Sequence, residues 1–274
     1  MRNMRYRRIA VKVGSNVLTR KDGTLDLTRM SALVDQIADL RRAGTEVILV
    51  SSGAVASGRS ELHLPSTETE RMDSVEQRQL FSAVGQAKLM GRYVELFRDH
   101  GLHVGQVLTM KENFATPRQN ENQRQCMAAM LEHGVLPIVN ENDTVCVTEL
   151  MFTDNDELSG LVARLMGCQA LVILSNVDGL YTGHPAEPGS RIISEVRPGE
   201  DLSACISSSQ SSEGRGGMQS KYKTATEVAA TGIDVFIANG KREQVLCDLM
   251  NQPGRVPHTH FMAGGKQHDS QQTL

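Results

Sequence analysis

Short apolar runs typical of buried β-strands alternate along this chain with longer segments of helical pattern. Two clear strand-like runs occupy 9–13 and 47–50. Helical segments include 28–42, which Thr28 is expected to cap, and the long stretch 74–100. Strands and helices that alternate at this spacing form a mostly parallel sheet covered on both faces. The sequence therefore predicts the α/β class, as a three-layer α/β/α sandwich.

The domain organisation follows from the length and from the positions of the loops. A chain of 274 residues is long enough for one large α/β domain. We predict a single domain over 1–274, with a seam between two lobes near Gly167 that lies within one sheet. Residues 263–274 are expected to form a disordered tail.

Composition argues against several classes of protein. The net charge of −3 and the pI near 6.3 imply no strongly basic face, so we expect no nucleic-acid partner. The sequence has no apolar run of about 18 residues that could span a membrane, and its N-terminus lacks the pattern of a secretory signal. The five cysteines are scattered without a CxxC pair, which argues against disulfides and zinc. We therefore expect a cytoplasmic protein without a membrane partner.

Two glycine-punctuated turns follow the first two predicted strands. Lys12 lies two residues before Gly14, where it can point to solvent or reach phosphate oxygens beside the amides of the turn. Ser52 and Gly53 begin a predicted helix, and the amides of a helix N-terminus donate to anions. Ligand sites of open α/β sheets gather at the carboxyl ends of the strands. The turns therefore predict an anion site at that edge.

Acidic and amide side chains cluster farther along, in Asn140–Asp143 and in Asp154–Glu157. Asp143, Asp154 and Asp156 are either solvated turn acids or paired groups beside the core, where an unpaired charge is costly. Paired acids can orient lysines, hold magnesium or bind a substrate ammonium. The cluster therefore favours chemistry on a small charged substrate.

A third glycine-rich run, 214–221, precedes a predicted helix and ends in Lys221. Lysine in a first helical turn opposes the helix dipole, which is unfavourable unless an anion lies nearby. The run is either a flexible loop or a phosphate-binding turn. The dinucleotide pattern GxGxxG and the P-loop pattern GxxxxGK[ST] are both absent from the sequence.

Taken together, these runs resemble the amino acid kinase family over residues 8–262. The runs that carry the resemblance are VKVGSNVLT (11–19), VSSGAVASGR (50–59), AVGQAKLM (83–90), HVGQVLT (103–109), PIVNENDTV (137–145), FTDNDELSGLVA (152–163), DGLYT (178–182) and GRGGMQSK (214–221). SSGAVASGR, and NEND together with DNDELS, are most similar to the members that phosphorylate the γ-carboxylate of L-glutamate with ATP. That reaction is the first step of proline biosynthesis.

The resemblance implies a role for each motif residue. Lys12 and Lys221 would neutralise the transferring phosphoryl group, and Asp156 between them would orient both, as the catalytic set. Asp154 would support the site or the magnesium that accompanies ATP. Residues implied to bind the substrate are Ser52, Gly53, Asp143 and Asn155. Residues implied to bind the nucleotide are Lys12, Gly14, Ser175, Asn176, Arg215, Gly216, Gly217, Met218 and Lys221. The substrate lobe would span about 8–166 and the nucleotide lobe about 167–262.

The resemblance also implies partners. These are L-glutamate and ATP as substrates, Mg²⁺, proline as a feedback inhibitor, and further copies of the chain in a homo-oligomer. Longer members carry a C-terminal RNA-binding-type domain, and we expect this chain to be a short form without it. Many members have Thr-Asp in place of Ser175-Asn176, and Thr in place of Arg215. The first departure bears on nucleotide preference, and the extra cation at Arg215 could add a contact to phosphate.

Two alternatives stay open at this point. One is another kinase of the same fold, acting on N-acetylglutamate, a nucleoside monophosphate or an isopentenyl phosphate. Asp143 argues against it, because a free α-amino group needs an acid and those substrates do not. The other is a non-catalytic sensor of glutamate or proline, against which the presence of both lysines and Asp156 argues.

Overall fold

A computed structural model of the chain describes residues 5–145, 152, 154–203 and 217–265. The strands are β1 (Arg8–Val13), β2 (Glu46–Ser51), β3 (Val104–Thr109), β4 (Leu136–Glu141), β5 (Ala170–Ser175), β6 (Glu195–Val196), β7 (Asp234–Asn239) and β8 (His258–Phe261). The helices are α1 (Ser15–Leu18), α2 (Leu27–Arg42), α3 (Ala54–Leu62), α4 (Ser66–Thr69), α5 (Ser74–Arg98), α6 (Pro117–Glu132), α7 (Asn155–Leu165), α8 (Met218–Ala229) and α9 (Val245–Asn251). Short 3₁₀ helices cover Lys111–Phe114 and Pro253–Arg255.

The described strands form one eight-stranded sheet in the order β3-β4-β2-β1-β5-β7-β8-β6. Every neighbouring pair is parallel except β7 with β8. The predicted mostly parallel sheet is therefore confirmed. From β1 the chain continues to β2 on one side and later to β5 on the other. Such a switch point is where open α/β sheets bind their ligands.

Side chains of the central strands alternate between two apolar layers. In β1, Ile9 and Val11 join a core shared with α2, α5 and α9, whereas Ala10 joins a second core shared with α7 and α8. In β2, Leu49 faces the first layer and Ile48 the second. Because successive strand residues point to opposite faces, the central strands are buried on both sides. The three-layer arrangement follows.

Polar side chains set the starts of the two helices that were predicted first. Helix α2 begins at Leu27, because the Asp26 carboxylate accepts from the backbone N–H of Arg29 at 3.0 Å. The expectation that Thr28 caps this helix is therefore wrong. Helix α5 confirms the predicted long helix and begins with a reciprocal capping box between Asp73 and Glu76.

Helices α3 and α5 cross at two glycines. A Cβ atom on Gly85 would lie 1.8 Å from the carbonyl oxygen of Ala54, and one on Gly58 would lie 1.8 Å from that of Phe81. The two backbones therefore touch, which only residues without side chains permit. This contact fixes the N-terminal half of α5 against α3, whose own N-terminus lies at the end of β2.

Some expectations fall on segments that the structure does not describe. Arg215 and Gly216 lie outside the described residues, as does 266–274, the greater part of the expected tail. Ala263 and Gly264 donate backbone hydrogen bonds to Asp234 and Ala229, at 3.1 and 2.8 Å. Among the helices of the described ranges, none is long and apolar enough to cross a membrane.

Candidate active site

A buried carboxylate lies between two lysines at the centre of the site. Nζ of Lys12 lies 2.6 Å from Oδ1 of Asp156, and Nζ of Lys221 donates to Oδ2 of Asp156 at 2.9 Å. Asp156 is 0 % exposed, and each lysine is 5 % exposed. Lys12 therefore faces the site and not the solvent. The anion that offsets the helix dipole beside Lys221 is, in this structure, the Asp156 carboxylate.

The position of Asp156 follows from the start of α7. The Asp154 carboxylate caps this helix by accepting from the backbone N–H groups of Asp156 and Glu157, at 2.8 and 3.0 Å. Asp156 then occupies the first turn, aimed at the end of β1. Burial acts to raise the pKa of Asp156, but the two lysines outweigh it and hold that pKa below its usual range. The centre is thus one carboxylate shared by two cations.

Asp154 differs from Asp156 in its electrostatics. Burial and then the charge of Asp156 raise the pKa of Asp154, while a hydrogen bond with Ser220 opposes the rise. Only Oδ1 of Asp154 serves in capping, so Oδ2 is an oxygen outside those bonds. Across the part of the chain that the structure describes, no cluster of three or more acidic, histidine or cysteine side chains could hold a metal.

A chain of amides crosses the floor of the site. Nδ2 of Asn155 donates to Oγ of Ser52 and to Oδ1 of Asn140, both at 2.9 Å. Nδ2 of Asn140 in turn donates to Oε1 of Gln86 in α5 at 2.9 Å. Each amide thereby fixes the orientation of the next, from the core of α5 to the end of β2.

The N-terminus of α3 opens onto the same floor. Gly53 precedes the helix with φ of 105°, a left-handed conformation that glycine adopts without strain. The backbone N–H of Ser52 donates to Val13 at 3.1 Å, which joins this turn to the end of β1. Helix α3 therefore begins at the cleft that Lys12 also lines. The first amides of a helix have no partner within the helix.

A second charged group lies where β4 ends. Arg78, in the first turns of α5, forms ion pairs with both Asp143 and Glu141. Oε1 of Glu141 also accepts from the backbone N–H of Phe152 at 2.8 Å. Burial raises the pKa of both acids, and the Arg78 guanidinium opposes the rise. Asp143 is thus not a solvated turn acid.

Residues expected to bind the nucleotide lie on the other side of Lys12. The backbone N–H of Gly14 donates to Leu174 at 3.1 Å, and Ser175 ends β5 beside Asn176. Gly217 precedes α8 without a side-chain cap, and Met218 packs against the second core. Gly217 and Met218 do not line the cleft, whereas Gly14, Ser175 and Asn176 do.

These groups surround one open cleft of about 1540 Å³. Pockets that bind one drug-sized ligand have volumes of roughly 300–1,000 Å³. The cleft therefore has room for two substrates at once. The predicted residues that line it are Lys12, Gly14, Ser52, Gly53, Asp143, Asp154, Asn155, Ser175, Asn176 and Lys221. Asp156 lies beneath its floor.

Sequence reasoning assigned no role to four polar residues near the cleft. Asn140 and Glu141 belong to the same motif as Asp143. Their position at the end of β4 could have indicated that they lie in the site. Gln86 lies in the AVGQ run without any charge to mark it. Nothing in the local sequence distinguishes Arg78 from other arginines of α5, such as Arg92.

Fold and site together define a class of protein. This α/β/α sandwich brings a lysine from β1 and a lysine from α8 onto one carboxylate, beside the N-terminus of another helix. Such a site is suited to transfer a phosphoryl group to a small acceptor. Residues 7–239 match the amino acid kinase family. The chain belongs to that family.

Relatives within the family are more specific. The chain is 63% identical to a glutamate 5-kinase of Bacteroides thetaiotaomicron, over 94% of this chain and 70% of that protein. It is 44% identical to a glutamate 5-kinase of Symbiobacterium thermophilum, over 89% of this chain and 92% of that protein. A structure of carbamate kinase from Giardia lamblia bound to AMP-PNP superposes with a TM-score of 0.69 at 17% identity, covering 94% and 99% of the two chains. At that identity the likeness bears on the fold alone.

Proposed function

We propose that this protein is a kinase that transfers the γ-phosphoryl group of ATP to the γ-carboxylate of L-glutamate, giving L-glutamyl 5-phosphate for proline biosynthesis. The observation that carries the proposal is the Lys12–Asp156–Lys221 centre, combined with the identity to glutamate 5-kinases. The enzyme is a phosphotransferase with a carboxyl group as acceptor. The scattered cysteines suggest that it works in the cytoplasm.

Phosphoryl transfer requires the protein to position the two substrates and to supply positive charge. The acceptor carboxylate is already a nucleophile, so no general base is needed. Negative charge spreads over the transferring phosphoryl oxygens in the transition state, and preorganised cations stabilise it there. Lys12 and Lys221 supply those cations, and Asp156 holds both in place before ATP arrives. Burying the two lysines beside a shared carboxylate destabilises the fold less than burying them without an ion-pair partner would.

The two ends of glutamate need different partners. We propose that Asp143 binds the α-ammonium and that Ser52, Gly53 and Asn155 hold the rest of the molecule. The amide chain through Asn140 keeps Asn155 in one orientation. The nucleotide would lie along Gly14, Ser175 and Asn176 and reach Lys221, with a contribution from 215–218. By this assignment 8–166 forms the substrate lobe and 167–262 the nucleotide lobe.

Magnesium would accompany ATP. Asp154 fits such an ion, because it keeps a buried carboxylate oxygen outside its capping bonds. Mg²⁺ is bound in this way by one or two carboxylates together with substrate phosphates and water. The ion would neutralise charge on the phosphates, while the protein residues hold and orient the substrates.

A coupled assay of ADP release tests the proposal directly. L-glutamate, N-acetylglutamate and UMP are compared at equal concentrations with MgATP. We expect glutamate to give at least about 100-fold higher kcat/KM than the other two, because only its free ammonium pairs with Asp143. Release that is equal for all three, or fastest with UMP, would point to another kinase of this fold. No release above background with any would favour the sensor.

Asp143→Asn should mainly weaken the binding of glutamate. A charge-assisted contact to the ammonium acts in ground and transition states alike, so KM rises by about 10- to 100-fold while kcat changes by less than about threefold. Steady-state kinetics measures both. Glutarate, which lacks the ammonium, is the matched substrate, and its KM should not rise. A large fall in kcat with unchanged KM would remove Asp143 from the ammonium site.

Proline should compete with glutamate, because it carries the same ammonium and carboxylate pair. We expect proline to raise the apparent KM for glutamate without changing kcat, and Asp143→Asn to weaken proline inhibition in parallel. Initial rates over a grid of both concentrations decide this. Inhibition that saturating glutamate leaves undiminished would place proline elsewhere.

We also propose a homo-oligomer. Val94 of α5 and Leu108 of β3 are 47% and 39% exposed. Strand β3 is at one edge of the described sheet, and an open sheet edge can pair with another copy. Light scattering against the 30.0 kDa of one chain tests it. A monomer mass across micromolar concentrations would contradict the proposal.

A further inference from the structure

Arg78 lines the cleft and has no role in the proposed mechanism. The side chain of Arg78 is 14% exposed, and those of its partners Glu141 and Asp143 are 4% and 9% exposed. All three line the same cleft as Asn155 and Ser52. A partly buried arginine, paired with two buried acids, therefore faces the end of the cleft that was assigned to the amino-acid group of the substrate.

The two acids are held differently. Glu141 uses one oxygen for Arg78 and the other for the backbone of Phe152, which ties it to the segment before α7. Asp143 pairs with Arg78 through the same guanidinium, whose Nε donates to its Oδ1 at 2.5 Å. Glu141 thus anchors Arg78 in place, whereas Asp143 can take a different cation without breaking a link to the backbone.

The charges of the substrate match this arrangement. An α-amino acid brings an ammonium and a carboxylate on one carbon. The ammonium needs an acid, and the carboxylate needs a cation, because an unpaired buried charge is strongly disfavoured. Arginine is the side chain best shaped to bind a carboxylate, and Arg78 already lies beside the acid that is assigned to the ammonium.

We infer that Arg78 determines specificity for the α-carboxylate of the substrate. When the amino acid binds, its ammonium replaces the guanidinium at Asp143. Arg78 turns to the α-carboxylate while it stays paired with Glu141. No covalent bond is made or broken in this exchange. The substrate adds one positive and one negative charge to the pocket, and each of them gains a partner of opposite sign. The inference rests on the proposed function and deepens it.

Comparing two ligands tests the exchange. 4-Aminobutyrate is glutamate without its α-carboxylate. Dissociation constants for both are measured by calorimetry without ATP, so that turnover does not interfere. Arg78→Met should weaken glutamate by about 10- to 100-fold, the loss expected for a charge-assisted contact. It should leave 4-aminobutyrate within about threefold or bind it more tightly, since Asp143 then has no competing cation.

Two further variants sharpen the result. Arg78→Lys keeps the charge and should retain most of the preference for glutamate over 4-aminobutyrate. Arg92→Met removes an arginine from the same helix whose side chain is 41% exposed and pairs with Glu95 one turn along. It should change neither constant. Arg78→Lys also keeps the test open if Arg78→Met does not fold.

Three outcomes would overturn the inference. Equal losses for both ligands in Arg78→Met would mean that Arg78 only supports the loop through Glu141. Tighter binding of glutamate would mean that Arg78 blocks the ammonium site. Failure of the unmutated protein to bind glutamate would instead refute the proposed function, and the inference with it. The first two appear only in the variant, so the two failures are distinguishable.

Discussion

Lys221→Ala is expected to lower kcat by about 10²–10⁴, with a small change in the KM for glutamate. In the proposed mechanism the lysine stabilises charge that develops on the phosphoryl group, and the α-carbon end of glutamate is assigned to other residues. Lys12→Ala should behave in the same way, since its Nζ pairs with the other oxygen of the same carboxylate. Steady-state kinetics on folded variants measures the effect.

The double variant and a matched control make this result specific. Both lysines pair with Asp156, and in the proposed mechanism both act on one phosphoryl group. The loss in the double variant should therefore be well below the product of the single losses. Lys223→Ala removes a lysine from the same helix whose side chain is 76% exposed, and it should leave kcat unchanged. Near-normal kcat in Lys221→Ala would refute the proposed mechanism.

Asp156→Asn is the second large effect, and it should reduce both activity and stability. Asparagine is neutral and of the same size, so both lysines stay buried without the carboxylate that they share. Breaking a buried ion pair by removing one partner costs about 3–5 kcal/mol. We expect kcat to fall by about 10²–10⁴, as in the lysine variants, because both cations lose their orientation.

Denaturant titration and kinetics together test this prediction. Asp39→Asn is the control, because its side chain is 50% exposed and pairs with Arg42 one turn along. That surface change should shift the free energy of unfolding by less than about 0.5 kcal/mol. If Asp156→Asn unfolds at the same denaturant concentration as the unmutated protein, the ion-paired centre contributes little and the lysines have other anchors.

The sequence was sufficient to predict those site residues that lie at the ends of parallel strands. Lys12, Ser52 and Asp143 each lie at or just beyond the end of an apolar run. Parallel strands bring such ends to one edge, so their convergence could be expected. The start of α7 was readable too, because Asp154 and the residues after it form a common capping pattern.

Contacts between distant elements were beyond the reach of the sequence. Arg78 comes to Asp143 only because α5 lies against α3 through Gly58 and Gly85, a backbone contact that no local pattern encodes. The full burial of Asp156 could not be predicted from the local sequence either. A turn acid and a buried centre have the same local sequence, and the difference lies in the two lysines that arrive from β1 and α8.

Trapping the product with hydroxylamine tests the central claim most directly. An acyl phosphate reacts with hydroxylamine to give a hydroxamate and phosphate, so glutamyl phosphate would yield γ-glutamyl hydroxamate. The account predicts hydroxamate that forms only with protein, MgATP and L-glutamate together, tracks ADP release, and is reduced by about 10²–10⁴ in Lys221→Ala. ADP release without hydroxamate, or hydroxamate undiminished in Lys221→Ala, would contradict it.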